Sequence, residues 1–197
     1  MQASDANKQQ TLLVVDDSPG VLHLVSNLLK PDYRIKAANS GPLGLEVAKA
    51  SLPDLILLDV LMAEMDGYEV CRRLKADPHT RDIPLIFLSA LNSAEDEEKG
   101  LSLGAADYIS KPIGGPILRA RIKTQLEMKA ARDFIADKNR FLVNEVTKRA
   151  REVDFVQDVT ILALASLAET RDQETGNHIR RTQHYVRALA QQLQHHP

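Results

Sequence analysis

The chain has 197 residues, room for one domain and part of a second at about 100–200 residues per domain. Charged side chains make up 26% of it, yet the formal net charge is only -2, so no overall field draws it to nucleic acid or to a membrane, and neither partner is expected. Its single cysteine, Cys71, excludes an internal disulfide and suits a reducing cytoplasm.

Aromatic residues are 4% of the chain and tryptophan is absent, which leaves Val, Leu, Ile and Ala to build the core. Residues 1–10, MQASDANKQQ, lack the apolar centre of a signal peptide and are expected to form a loose tail. No later stretch approaches the roughly 18 apolar residues that a membrane span needs.

Thr11 to Asp16 is a short apolar strand that finishes in acids, Asp16 and Asp17. Ser18-Pro19 then opens a helix on which Val21, Leu22, Val25, Leu28 and Leu29 recur at helical spacing. Tyr33 to Ala37 reads as a modest strand and Pro42 to Ala50 as a short helix. Pro53 and Asp54 lead into the unbroken apolar run Leu55 to Leu58, a parallel strand buried on both faces that ends on Asp59. Gly67 to Ala76 is a helix stopped by Asp77-Pro78, and Ile83 to Ser89 is a fourth buried strand. Glu95 to Leu103 forms a helix closed by Gly104, and Ala105 to Ile109 gives a fifth strand before Lys111-Pro112. Alternating strands and helices imply right-handed crossovers, hence an α/β domain with a five-stranded parallel sheet covered on both sides.

Asp16 with Asp17, Asp59, Ser89 and Lys111 stand at the ends of four different apolar strands, so this topology gathers them at one rim, where open parallel sheets bind ligands. Three crowded carboxylates repel one another, and a hard divalent cation neutralises them; Mg²⁺ takes oxygen ligands and shares itself with phosphate oxygens. The Lys111 ammonium and the Ser89 hydroxyl could each hold a further phosphate oxygen. The set reads as a phosphoryl-acceptor site. Asp17 is also placed to cap the helix that follows it, and Cys71 and Met65 read as packing residues.

Five motifs carry a family resemblance: VVDDS at Val14 to Ser18, LILLD at Leu55 to Asp59, MDGYE at Met65 to Glu69, LSA at Leu88 to Ala90 and DYISKP at Asp107 to Pro112. In this order and spacing they resemble the receiver domain of bacterial response regulators, from about Thr11 to Lys129. The resemblance implies a doubly wound, flavodoxin-like sheet of order 2-1-3-4-5. It implies that Asp59 accepts a phosphoryl group from a sensor histidine kinase or phosphotransfer protein, and that Asp16, Asp17, Asp59 and the backbone carbonyl of Leu61 bind Mg²⁺. By the same likeness Ser89 contacts the phosphoryl group, Lys111 pairs with it, and Tyr108 is the aromatic switch, which phosphorylation would let bury as Ser89 and Lys111 are drawn inward. Ala63 departs from the pattern, since such regulators usually carry proline there. Leu61 and Leu91 lie two positions beyond Asp59 and Ser89, beside the path of the hydrolytic water; being apolar, they predict slow self-dephosphorylation.

Beyond Pro116 the pattern becomes helix without interruption. Ile117, Leu118, Ile122 and Leu126 form one apolar phase, expected to pack inward. A second phase follows at alternating steps of three and four: Ile135, Asn139, Leu142, Val146, Arg149, Val153, Val156, Thr160, Ala163 and Leu167. That is the a/d seam of a coiled coil, and Asn139 within it would fix the register of a parallel homodimer. A helix of some 50 residues would extend about 75 Å, too far for a small domain to cover.

The stretch from Leu162, LALASLAETRDQETGNHIRRTQHYVRALAQQL, is similar to the opening helices of HD-GYP domains, which hydrolyse cyclic di-GMP at a di-iron or tri-iron centre. That likeness makes Glu174 and His178, four apart and on one helical face, candidate iron ligands; the remaining ligands of such a site would come later in sequence, so the chain is expected not to hold the metal centre by itself. The expected organisation is a tail at 1–10, a receiver at 11–129, a coiled-coil linker at 130–168 and the start of an output domain at 169–197. The competing readings are a nucleotide hydrolase in its own right and a dimerising scaffold indifferent to phosphorylation.

Overall fold

The computed structural model describes residues 9–91, 93–169, 181–185 and 187–188. Five strands alternate with five helices: β1 (Thr11–Val15), α1 (Pro19–Leu29), β2 (Arg34–Ala38), α2 (Gly41–Ser51), β3 (Leu55–Asp59), α3 (Gly67–Ala76), β4 (Leu85–Ser89), α4 (Ala94–Ser102), β5 (Asp107–Ser110) and α5 (Gly115–Glu169). All strand pairs are parallel and the sheet order is β2-β1-β3-β4-β5, the doubly wound arrangement expected. Two compact units divide the chain between Phe134 and Ile135.

The three central strands are buried almost throughout, and the twofold alternation of strand side chains sorts them into two cores. Leu13, Val15, Ile56, Leu58, Leu85 and Phe87 pack on one face with Ala48 of α2 and Val70, Cys71 and Leu74 of α3. Leu12, Val14, Leu55, Leu57, Ile86 and Leu88 pack on the other with Val25 and Leu29 of α1 and Leu118, Ile122 and Leu126 of α5. Each face thus has its own apolar layer, which is why the runs read as continuous rather than alternating. Ile117 was expected to join the inward phase but is 61% exposed: it sits one helical step, about 100°, from the buried stripe.

Helix ends follow local chemistry. Ser18, Ser40, Asp66 and Ser93 cap α1 to α4, each accepting a backbone N–H from the first turn with its side-chain oxygen. The cap of α1 is therefore Ser18 and not Asp17, whose carboxylate is engaged elsewhere. Gly104, with φ +92°, turns the chain after α4 through a conformation that side chains disfavour. β4 starts at Leu85 because Pro84 has no N–H to donate, although its carbonyl still accepts from Ile56.

In the second unit, Ile135, Leu142, Val146, Val153 and Val156 on α5 are each more than half exposed. Arg149, also on that seam, is paired along the helix with Glu145 and Glu152, both at 3.2 Å. Residues 181–185 and 187–188 are helical, and Arg187 forms a fork on Asp158 at 2.8 and 3.0 Å. Among the described residues no helix is long and apolar enough to cross a membrane.

Candidate phosphoryl-acceptor site

The sheet delivers one polar residue at or just beyond the C-terminal end of each of four strands: Asp16 after β1, Asp59 at the end of β3, Ser89 at the end of β4 and Lys111 after β5. Lys111 reaches back with its ammonium to donate to Asp16 Oδ2 at 2.8 Å and to Asp59 Oδ1 at 2.9 Å, tying together residues 95 and 52 positions away in sequence. Asp16 is 2% exposed and Asp59 4% exposed. The peptide between Lys111 and Pro112 is cis.

Asp17 completes the acidic group. One carboxylate oxygen from each of Asp16, Asp17 and Asp59 lies within 4.8 Å of the others. Asp16 Oδ1 accepts the Ser18 N–H at 2.9 Å, which fixes its orientation. Asp17 Oδ2 accepts the Ala63 N–H at 3.1 Å, joining the loop after β1 to the loop after β3. A proline at position 63 could not make this bond, since it carries no N–H; the departure noted in the sequence thus supplies a donor.

Two buried carboxylates face one partly buried ammonium, and the charges do not balance. Burial raises the pKa of Asp59 above the ordinary carboxylate value even though Lys111 pulls the other way. Burial by itself would lower that of Lys111, but its two carboxylate partners outweigh it and hold the ammonium charged. With Asp17 added, the cluster carries an excess of negative charge lined only by oxygen donors. That donor set fits a hard divalent cation such as Mg²⁺.

Ser89 is fully buried, and its Oγ accepts the Leu91 N–H at 3.1 Å. A hydroxyl that accepts there keeps its own hydrogen for another partner. The Leu91 carbonyl in turn accepts the Tyr108 hydroxyl at 3.0 Å, so one residue links Ser89 to Tyr108. Tyr108 is buried, at 8% exposed. Its ring sits against Phe87, centroids 6.0 Å apart.

Gly67, read from the sequence as the first residue of a helix, is also a positioning element of the site. A Cβ there would lie 2.1 Å from the Asp59 carbonyl oxygen and 2.9 Å from Val60 Cα. The start of α3 is pressed directly against the strand end that carries Asp59, and Gly67 N–H donates to the Val60 carbonyl at 2.9 Å. Leu61 is 53% exposed beside the site and Leu91 is partly buried against the core. Glu174 and His178 lie outside the described residues.

Comparison with known proteins adds to this geometry. The family described as response regulator receiver domain matches residues 12–123. A probable cyclic di-GMP phosphodiesterase of Vibrio cholerae serotype O1 is 50% identical over 185 residues, covering 94% of this chain and 42% of that protein. The response regulator PleD of Caulobacter vibrioides is 42% identical over 123 residues, 62% of this chain and 27% of its own length. The chain therefore spans less than half the length of these curated relatives. Among solved structures, a putative response regulator from Chloroflexus aurantiacus J-10-fl is 34% identical, with a TM-score of 0.59 over 61% of this chain and 99% of that one.

Proposed function

Because the chain belongs to the response regulator receiver domain family, we propose that Asp59 is its phosphoacceptor, taking a phosphoryl group from the phosphohistidine of a sensor kinase or phosphotransfer protein. The observation that carries this reading is the bridge of Lys111 between Asp16 and Asp59, with Asp17 close by. An Asp59 carboxylate oxygen attacks phosphorus, the phosphorus–nitrogen bond of the donor breaks, and the imidazole leaves. The nucleophile is ionised in this step, which Lys111 favours against the effect of burial. Afterwards the Lys111 ammonium pairs with a phosphoryl oxygen and the free hydroxyl hydrogen of Ser89 is donated to another.

Asp16, Asp17 and Asp59, with the backbone carbonyl of Leu61, would hold Mg²⁺. Bound there, it would supply charge neutralisation to the phosphoryl oxygens.

The domain boundaries follow as part of the same reading: a receiver over 11–129, a linker over 130–168 and the start of an output domain at 169–197. The exposed seam from Ile135 to Val156 pairs with a second copy as a parallel coiled coil, and the phosphoryl-dependent change at Ser89 alters the register or strength of that pairing. The relative named a probable cyclic di-GMP phosphodiesterase supports an HD-GYP output domain in the parent protein, with Glu174 and His178 among its iron ligands. The enzyme's remaining ligands belong to that domain.

Molar mass in solution, with and without beryllofluoride and Mg²⁺, tests the proposal. The native chain is expected to bind the mimic and change its self-association, and Asp59→Ala to abolish both. A dimer that ignores the mimic would instead identify a scaffold.

A further inference from the structure

The three carboxylates of the acceptor site are not held alike. Asp16 and Asp59 are almost fully buried and share the Lys111 ammonium, and Asp16 also accepts the Ser18 N–H. Asp17 is exposed, so packing does not fix its rotamer. Among the described residues its side chain has one hydrogen-bond partner, the Ala63 N–H at 3.1 Å.

That partner sits on a strained loop. Glu64, the next residue, has φ +64°, a conformation that side chains disfavour. The Met65 N–H folds back onto the Ala63 carbonyl at 2.7 Å, a three-residue turn centred on Glu64. Met65 in turn is pressed on the start of α2, where a Cβ on Gly41 would lie 3.1 Å from both the Met65 Cβ and its carbonyl oxygen. Asp66 caps α3, its carboxylate accepting the Glu69 N–H at 2.7 Å, and the Gly67 N–H closes the loop on the Val60 carbonyl at 2.9 Å. The span 61–66 is thus tied at its base, and its bend lies immediately beside the peptide that donates to Asp17. Strain of this kind persists only where the surroundings over-determine it, and it gathers at functional sites.

We propose that Ala63 is a positioning residue for the divalent ion. Its N–H holds the exposed Asp17 carboxylate beside those of Asp16 and Asp59, and it braces the loop that carries Leu61, a further proposed ligand, against the loop that carries Asp17. Two ligands from different loops then meet the ion already placed, so binding loses less freedom of side chain and loop. This role rests on the Mg²⁺ reading of the acid cluster and adds to it a backbone donor that is not itself a ligand. Proline, the residue that the family resemblance leads one to expect at this position, cannot make the bond.

Ala63→Pro deletes the donor and leaves every proposed ligand in place. In calorimetric titration with Mg²⁺ alone, the native chain is expected to bind about fivefold tighter than Ala63→Pro, the effect of one hydrogen bond. The urea midpoint in chelator is expected to match the native one, because the bond is exposed and joins two surface loops. Equal affinity overturns the proposal, and equal affinity with a lowered midpoint assigns the bond to stability alone. Where Ala63→Pro lowers both, or does not fold, Glu64→Val and Glu64→Gly decide. Both remove the same carboxylate, but valine opposes a positive φ whereas glycine allows it. Glu64→Val is expected to bind Mg²⁺ severalfold more weakly than Glu64→Gly, and equal binding by the two overturns the brace. A native chain that does not bind Mg²⁺ overturns the metal reading of the cluster and this role with it.

Discussion

Lys111→Met deletes the one cation that bridges the buried acids while keeping a side chain of similar length. The ammonium makes two charge-assisted hydrogen bonds, at 2.8 and 2.9 Å, to carboxylates that are almost fully buried. Such bonds contribute about 1.5–3 kcal/mol each, and breaking a buried ion pair costs about 3–5 kcal/mol. Because the Lys111 side chain is 21% exposed, the low end applies, about 3 kcal/mol in metal-free buffer. That is roughly a 150-fold shift in the folding equilibrium. With a urea slope of about 2 kcal/mol per molar, the unfolding midpoint falls by about 1.5 M. Mg²⁺ replaces the missing charge in the variant but adds to an existing counter-ion in the native chain. The Mg²⁺-induced rise in midpoint is therefore larger for Lys111→Met. Urea titrations followed by circular dichroism, in chelator and in excess Mg²⁺, measure both. A metal-free midpoint within about 0.3 M of native, or equal Mg²⁺ effects on the two proteins, would refute the picture of Lys111 as the internal counter-ion.

Asp59 gives the pH dependence. Its folded pKa lies above the unfolded value, so as pH rises the unfolded chain loses this proton first and stability falls across that window. In chelator, Asp59→Asn should gain stability relative to the native chain as pH rises above about 4, and a pH-independent difference would count against burial as the dominant influence. Gly67→Ala should destabilise the fold by about 2 kcal/mol and weaken Mg²⁺ binding, because its methyl group must displace the backbone that carries Asp59. The matched control Gly20→Ala, with only Ser18 Oγ nearby at 3.8 Å and a position inside α1, should leave both unchanged or slightly improved; thermal melts compare the pair. Apolar Leu61 and Leu91 offer no group to orient a hydrolytic water, so radiolabelled phosphoryl on Asp59 should persist well beyond seconds after the donor is removed. Leu61→Asn should shorten that lifetime severalfold.

The fold was legible because burial on both faces leaves an unmistakable mark on a strand. Leu55 to Leu58 and Leu85 to Leu88 are continuous apolar runs, and no other arrangement of segments that short hides them from water. The polar residues could be placed for the same reason: a parallel sheet sends every strand's C-terminal end to one rim, so chain order alone gathered Asp16, Asp59, Ser89 and Lys111. Boundaries were less accurate where a proline or a turn decided them, as at Pro84, because hydrogen-bond partners across the sheet are not visible in a single run of residues.

Composition and order along the chain by themselves determined the sheet, its two covered faces and the identity of the polar cluster. Tertiary structure alone decided which atoms meet: the double reach of Lys111, the Ala63 donor to Asp17, the approach of Gly67 to Asp59, and the seating of α4 on Tyr68, Phe87 and Tyr108. Hydrophobic periodicity is a property of neighbours in sequence, whereas a hydrogen bond across 95 residues or a gap too small for a methyl group depends on how separate elements pack.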